Sequence, residues 1–240
     1  METVNLIKKI LRPFVPQIVL ERRKMAVVER LGKKEIADWQ ARGCPVPPPH
    51  IVKQRTIGEY QRKYGYNILV ETGTFNGDMV EAQKTNFKKI ISIELGVDLF
   101  VKAQQRFAKD KHVRIVQGDS GKMLPNILKS INEPAIFWLD GHYSSGPTAK
   151  GDKECPIWEE LDAVFNAKML NHILLIDDAR HFVGTGDYPT IDALTKYITS
   201  KNGAYHVEVK HDIIRYELRE TVSPGSSLYN EGVARRVAVA

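Results

Sequence analysis

Six acids stand where short apolar runs stop: Glu71, Glu94, Asp119, Asp140, Asp177 and Asp178. A strand end needs no acid in order to fold, and a single one there is an ordinary cap for the helix that follows. Recurrence along the chain points to a site. Carboxylates accept the two hydrogen bonds of a ribose diol, balance a bound cation, ligate a hard metal ion or take a proton from a hydroxyl. His142, two residues after Asp140, adds a base that works near neutral pH.

The richest of these stretches runs from Ile68 to Gly77, Ile-Leu-Val-Glu-Thr-Gly-Thr-Phe-Asn-Gly. A short, branched apolar run of this kind predicts a buried strand. Glu71 and Thr72 end it, Gly73 and Gly77 permit backbone angles and approaches that a side chain would block, and a helix is expected from Asp78. The start of such a helix offers unpaired N–H groups to a ligand. Strand, glycine loop and helix together form a nucleotide-type cradle.

The cradle carries a preference. Gly-x-x-x-Gly after an acid lacks the Gly-x-Gly-x-x-Gly fingerprint of a dinucleotide pyrophosphate. Glu94 falls about twenty residues on, where a strand-end carboxylate can hold a ribose diol. Asp119 and Ser120 end the next strand and can meet an adenine edge. An acid before the loop repels a diphosphate and suits a ligand with an ammonium and a sulfonium. S-adenosylmethionine meets these demands better than NAD.

These residues need a frame. Apolar runs at Ile90–Glu94, Val113–Gln117, Ala135–Leu139 and Ile173–Ile176 alternate with helical stretches near 78–88, 97–109 and 121–131 and one after Pro156. That alternation predicts a doubly wound, mostly parallel α/β sheet with helices on both faces, Rossmann-like in outline. It would gather the acids at the carboxyl ends of the strands. Tyr205–Lys210 and Ile213–Leu218 flank His211-Asp212 and read as a hairpin. Residues 1–50 read as an N-terminal helical extension closed by the linker Cys44–His50, residues 51–222 as the ligand-binding domain, and residues 223–240 as a tail. Residues 143–154 are too long for a tight connection and suit a lid over an acceptor.

Composition narrows the class. The chain has 240 residues, 42% hydrophobic and 27% charged, with a formal net charge of +6. Much of the excess lies near the N-terminus and no nucleic-acid module is legible, so a nucleic-acid partner is not expected. Two cysteines without paired spacing fit a reducing cytoplasm. The apolar stretches near the N-terminus are broken before spanning length, which leaves surface contact with lipid, or packing on the domain or on another subunit, as roles for that arm.

Val-Glu-Thr-Gly-Thr-Phe-Asn-Gly, Ile-Ser-Ile-Glu-Leu, Gln-Gly-Asp-Ser and Trp-Leu-Asp-Gly-His resemble the ordered motifs of class I S-adenosylmethionine-dependent methyltransferases over about residues 55–220. That resemblance implies a seven-stranded sheet with an antiparallel last strand. Asp140-Gly141-His142 and Ile-Asp-Asp-Ala further resemble the metal-dependent O-methyltransferases of the macrocin type, and imply Mg²⁺ on Asp140, Asp177 and Asp178. His142 stands where that family commonly has a second acid, and is read as the base, with a backbone-bonded loop residue or a metal ligand as the alternatives. The resulting expectation is an O-methyltransferase acting on a hydroxyl of a small or sugar-containing acceptor. An NAD-dependent oxidoreductase and a non-catalytic binding module are the competing readings.

Overall fold

The computed structural model describes residues 17–142, 153–168 and 171–219. Most of the expected lid, and the expected tail, lie outside the described residues. Seven strands form one sheet: β1 (Ile68–Thr72), β2 (Lys89–Glu94), β3 (Val113–Gln117), β4 (Ala135–Leu139), β5 (Ile173–Ile176), β6 (Tyr205–Lys210) and β7 (Ile213–Leu218), in the order β3-β2-β1-β4-β5-β7-β6. The first five run parallel, and β7 inserts antiparallel between β5 and β6. This is the expected architecture, antiparallel last strand included.

The helices are α1 (Gln17–Ala41), α2 (His50–Tyr64), α3 (Asp78–Gln83), α4 (Val97–Arg106), α5 (Ser120–Leu128), α6 (Ile157–Asn166) and α7 (Ile191–Lys201). α3 is shorter than the helix expected over 78–88. It stops at Gln83, and Asn86 N–H returns to the Gln83 carbonyl at 2.8 Å, closing a turn before β2.

Both faces of the sheet are covered, which explains why its strands are continuous apolar runs. Neighbouring residues of a strand point to opposite sides. Val70, Ile91, Phe137 and Leu174 therefore join Leu124, Leu161 and Leu194 in one core. Leu69, Ile90, Ile136 and Leu175 join Ile57 and Tyr60 of α2 and Val80 of α3 in the other.

Strand order reverses between β1 and β4, whose outer neighbours diverge. The two flanking connections leave toward opposite faces, and a crevice opens at the carboxyl ends there. At the far end, His211 and Asp212 both take left-handed angles (φ 55° and 62°) and form the two-residue hairpin turn that matches strand twist. Trp39 near the end of α1 is buried edge-on against His211, ring centroids 5.0 Å apart, and donates its indole N–H to the Pro45 carbonyl at 2.8 Å. Val27, Val28 and Leu31 of α1 are exposed. Among the described residues no helix is long and apolar enough to cross a membrane.

Candidate active site at the sheet edge

The crevice has two halves. In the first, the loop after β1 folds back on its neighbours. Gly73 has φ +84°, and its N–H bonds the Ile93 carbonyl at 2.9 Å. A Cβ at Gly73 would lie 2.2 Å from the Asp140 carbonyl oxygen, so only glycine lets this loop lie against β4. Gly77, at φ +78°, precedes α3 and is packed so closely that a Cβ would meet the Phe107 ring at 2.6 Å.

Glu94 ties this loop down. One carboxylate oxygen accepts from Phe75 N–H at 2.7 Å and the other from Gly96 N–H at 2.8 Å. Each oxygen keeps a second lone pair, which a diol can use. Glu71 sits deeper. It is 1% exposed, its carboxyl meets the Ser92 hydroxyl, and Ser92 is in turn 2.6 Å from the Thr74 hydroxyl. Burial raises the Glu71 pKa to about 8; the Ser92 hydrogen bond lowers it in part and nearby Glu94 adds to the rise. Glu71 is a strut behind the loop.

Thr72 and Ser120 are struts as well. The Asp140 N–H donates to the Thr72 hydroxyl oxygen at 3.1 Å. The Ser120 hydroxyl donates inward to Glu160 at 2.6 Å. Glu160 was not anticipated, although a signal existed: it interrupts the apolar stripe of Ile157, Leu161 and Val164, all buried on α6. Burial raises its pKa, and the hydroxyls of Ser120 and Thr72 partly offset that. Asp119 caps α5, accepting from Lys122 N–H at 3.3 Å. The open surface of this half is thus the loop, where Phe75 is 42% exposed, with half-buried Asp119 at its edge and Glu94 buried beneath it.

The second half is built from charges. Asp140, His142, Asp177 and Asp178 converge beyond β4 and β5, and two cations join them that were not foreseen. Lys53 of α2 places Nζ 2.5 Å from Asp177 Oδ2 and 3.2 Å from Asp178 Oδ1. Arg180 donates to Asp178 Oδ1 at 2.7 Å and to Asp212. His142 Nε2 is 3.0 Å from Asp178 Oδ2 and 3.7 Å from Asp140 Oδ1. Asp178 reaches this cluster from a left-handed backbone (φ 55°, ψ 49°).

Charge is unevenly distributed here. Burial opposes ionisation of Asp178, but the His142 hydrogen bond and the Lys53 and Arg180 charges outweigh it and hold its pKa well below the carboxylate range. An ionised Asp178 only accepts, so His142 Nε2 is the donor in their contact. Burial raises Asp177, with Lys53 opposing and Asp178 adding to the rise. Asp140 is pushed well up by burial and then by Asp177. Its side chain is 32% exposed, against 1% for Asp177 and 10% for Asp178, so Asp140 is the acid with an open face. His142 is buried behind it, near Tyr188 and His181 at ring-centroid distances of 5.9 and 6.3 Å.

The implied Mg²⁺ meets an obstacle in this arrangement. Among the described residues no three acid, histidine or cysteine side chains are arranged to hold a metal ion. Asp177 and Asp178 instead hold an ammonium between them. The donor set fits Lys53 as it stands, and does not fit a divalent ion beside it.

Parallel strands with an antiparallel last strand, and a glycine cradle at the switch point, define the class I methyltransferase fold. No family model matches the chain, and no curated protein does. Solved structures bear the fold out. An O-methyltransferase from Bacillus cereus in complex with SAH matches at TM-score 0.52 and 10% identity, over 78% of this chain and 90% of that one. The O-methyltransferase TomG from Streptomyces achromogenes, involved in tomaymycin synthesis and in complex with SAM, matches at TM-score 0.52 and 14% identity, over 78% and 88%. The SAH-bound methyltransferase PaMTH1 from Podospora anserina matches at TM-score 0.50 and 14% identity, over 82% and 96%.

Proposed function

We propose that this chain is an S-adenosylmethionine-dependent O-methyltransferase whose acceptor is a hydroxyl of a small or sugar-containing molecule. The observation that carries the reading is the contact of Gly73 with Asp140. It brings the loop after β1 against the strand end that carries an open carboxyl, which supports a donor site beside an acceptor site. Gly73–Gly77, Glu94 and Asp119 would hold the cofactor, with Glu71, Thr72 and Ser120 fixing the wall behind them. When bound, the cofactor supplies an electrophilic methyl on a sulfonium.

The residues of the second half then deal with the acceptor. Methyl transfer is an in-line displacement: the acceptor oxygen forms a bond to the methyl carbon as the carbon–sulfur bond breaks, and the electron pair stays on sulfur. A neutral alcohol is a poor nucleophile, so its proton must leave as the bond forms. Asp140, the acid with the open face, takes that proton. His142, hydrogen-bonded to Asp178, stands behind Asp140 and orients the acid cluster. Magnesium takes no part in this reading, because Lys53 holds the acid pair.

Methyl transfer from labelled S-adenosylmethionine to a panel of hydroxylated acceptors tests the proposal. Asp140→Asn should lower kcat by about 10²–10⁴-fold, the usual share of a positioned base, while calorimetry shows S-adenosylhomocysteine binding retained. Binding of NAD in the absence of any S-adenosylhomocysteine binding would reverse the choice of cofactor.

A further inference from the structure

We infer that Lys53 is a built-in cation of the acceptor site: its ammonium takes the place on Asp177 and Asp178 that a divalent metal would take, and holds the acceptor oxygen beside Asp140. The inference rests on the reading above for the word acceptor, but its electrostatic part stands on geometry alone. All four carboxylate oxygens of the pair already receive a hydrogen bond. Asp177 Oδ2 takes Lys53 at 2.5 Å, and Asp177 Oδ1 takes the Asp178 N–H at 2.8 Å. Asp178 Oδ1 takes Lys53 at 3.2 Å and Arg180 at 2.7 Å, and Asp178 Oδ2 faces His142 at 3.0 Å.

A metal entering here would have to displace Lys53 and stand close to a guanidinium, with two like charges opposing it. Lys53 is also well placed to stay. Val52, Thr56 and Ile57 beside it are buried, and Gln83 of α3 bonds the backbone carbonyl of Gln54 at 2.7 Å, pinning that turn of α2. Its side chain is only 14% exposed. An ammonium has three N–H donors, of which two meet the acids. The third serves an acceptor oxygen, where a fixed positive charge stabilises the negative charge that develops as the proton leaves. A lysine thus does in one side chain what a bound metal does through coordination, as a point charge with no exchangeable ligand.

The test reads metal affinity rather than turnover. Wild-type protein with S-adenosylhomocysteine present is titrated with Mn²⁺ and followed by electron paramagnetic resonance, beside Lys53→Met, which keeps the apolar stem. Wild type should bind no Mn²⁺ at millimolar concentration. Lys53→Met should gain one site at least about tenfold tighter, since one opposing charge within a few ångströms is worth that much. Should Lys53→Met fail to fold, Lys53→Gln removes the charge but keeps hydrogen bonding, and reads the same way. A wild-type site that takes stoichiometric Mn²⁺ and loses it in Asp178→Asn overturns the inference; so does a folded, uncharged Lys53 variant that gains no site. Failure of the methyltransferase reading would appear separately, as absent S-adenosylhomocysteine binding, and would leave the Mn²⁺ result legible.

Discussion

The two halves of the crevice hold their acids by different means. On the β1–β2 side, Glu94 is fastened by backbone N–H groups and Glu71 by a hydroxyl. On the β4–β5 side, Asp177 and Asp178 are fastened by Lys53, Arg180 and His142. Backbone donors carry no net charge and cannot leave, so the first half is a rigid mould. Side-chain cations bring full charges, so the second half fixes the ionisation of its acids as the first half does not. On the proposed function, the neutral mould would hold the donor and the charged cluster would meet the acceptor.

The difference predicts which kind of substitution damages each half. The largest effect belongs to the mould. Gly73→Ala would push a Cβ into the Asp140 carbonyl at 2.2 Å, from a backbone angle of +84°. The strain and the separation of β1 from β4 should cost about 4 kcal/mol or more in urea unfolding and abolish S-adenosylhomocysteine binding. A Gly73→Ala protein as stable as wild type would mean that the loop does not lie on β4 in solution.

In the charge cluster the sensitive position is Asp178, where three donors meet. Asp178→Ala leaves His142 without that partner. Lys53 keeps Asp177, and Arg180 keeps Asp212. Because Lys53 and Arg180 keep a close carboxylate and His142 keeps only the more distant Asp140 at 3.7 Å, the loss should be about 3 kcal/mol, at the low end for breaking a buried ion pair. A loss below about 1 kcal/mol would mark the cluster as hydrated, like a surface salt bridge. Either result sharpens the contrast, since among the described residues Glu94 is held by backbone N–H groups and no cation pairs with it.

The same contrast decides how much of the molecule the sequence reveals. The mould is legible because its bonds are short in sequence: Phe75 and Glu94 are 19 residues apart, and the motif from Glu71 to Gly77 is continuous. Strand ends and glycines report it directly, and the acids at the ends of β4 and β5 are equally plain. Their partners are not. Lys53 lies 124 residues from Asp177, on a helix whose pattern shows it only as a polar position between buried neighbours. No local periodicity distinguishes it from a solvated lysine. Arg180 reads as solvated for the same reason, until the hairpin turn brings Asp212 to it. Glu160 is the intermediate case, since an acid in an apolar stripe is visible without its Ser120 partner being so.

The smallest of the predicted effects probes the mould through a proton. Glu71 holds its proton up to about pH 8 in the folded chain, against an ordinary value of 4.5 once unfolded. Between those values the native state binds more protons than the unfolded state, so stability falls as pH rises through that window and levels off above it. Glu71→Gln cannot ionise and should not fall. Any pH-independent difference in the Ser92 contact cancels from the comparison, so a relative gain of about 2 kcal/mol between pH 6 and pH 7.5 is expected for the ligand-free protein. Urea unfolding of both proteins across that range measures it. Parallel pH curves would mean that Glu71 is ionised at neutral pH, with water or a cation reaching it. The first half would then no longer be a mould of neutral contacts, and the division between the two halves would fail at its deepest residue.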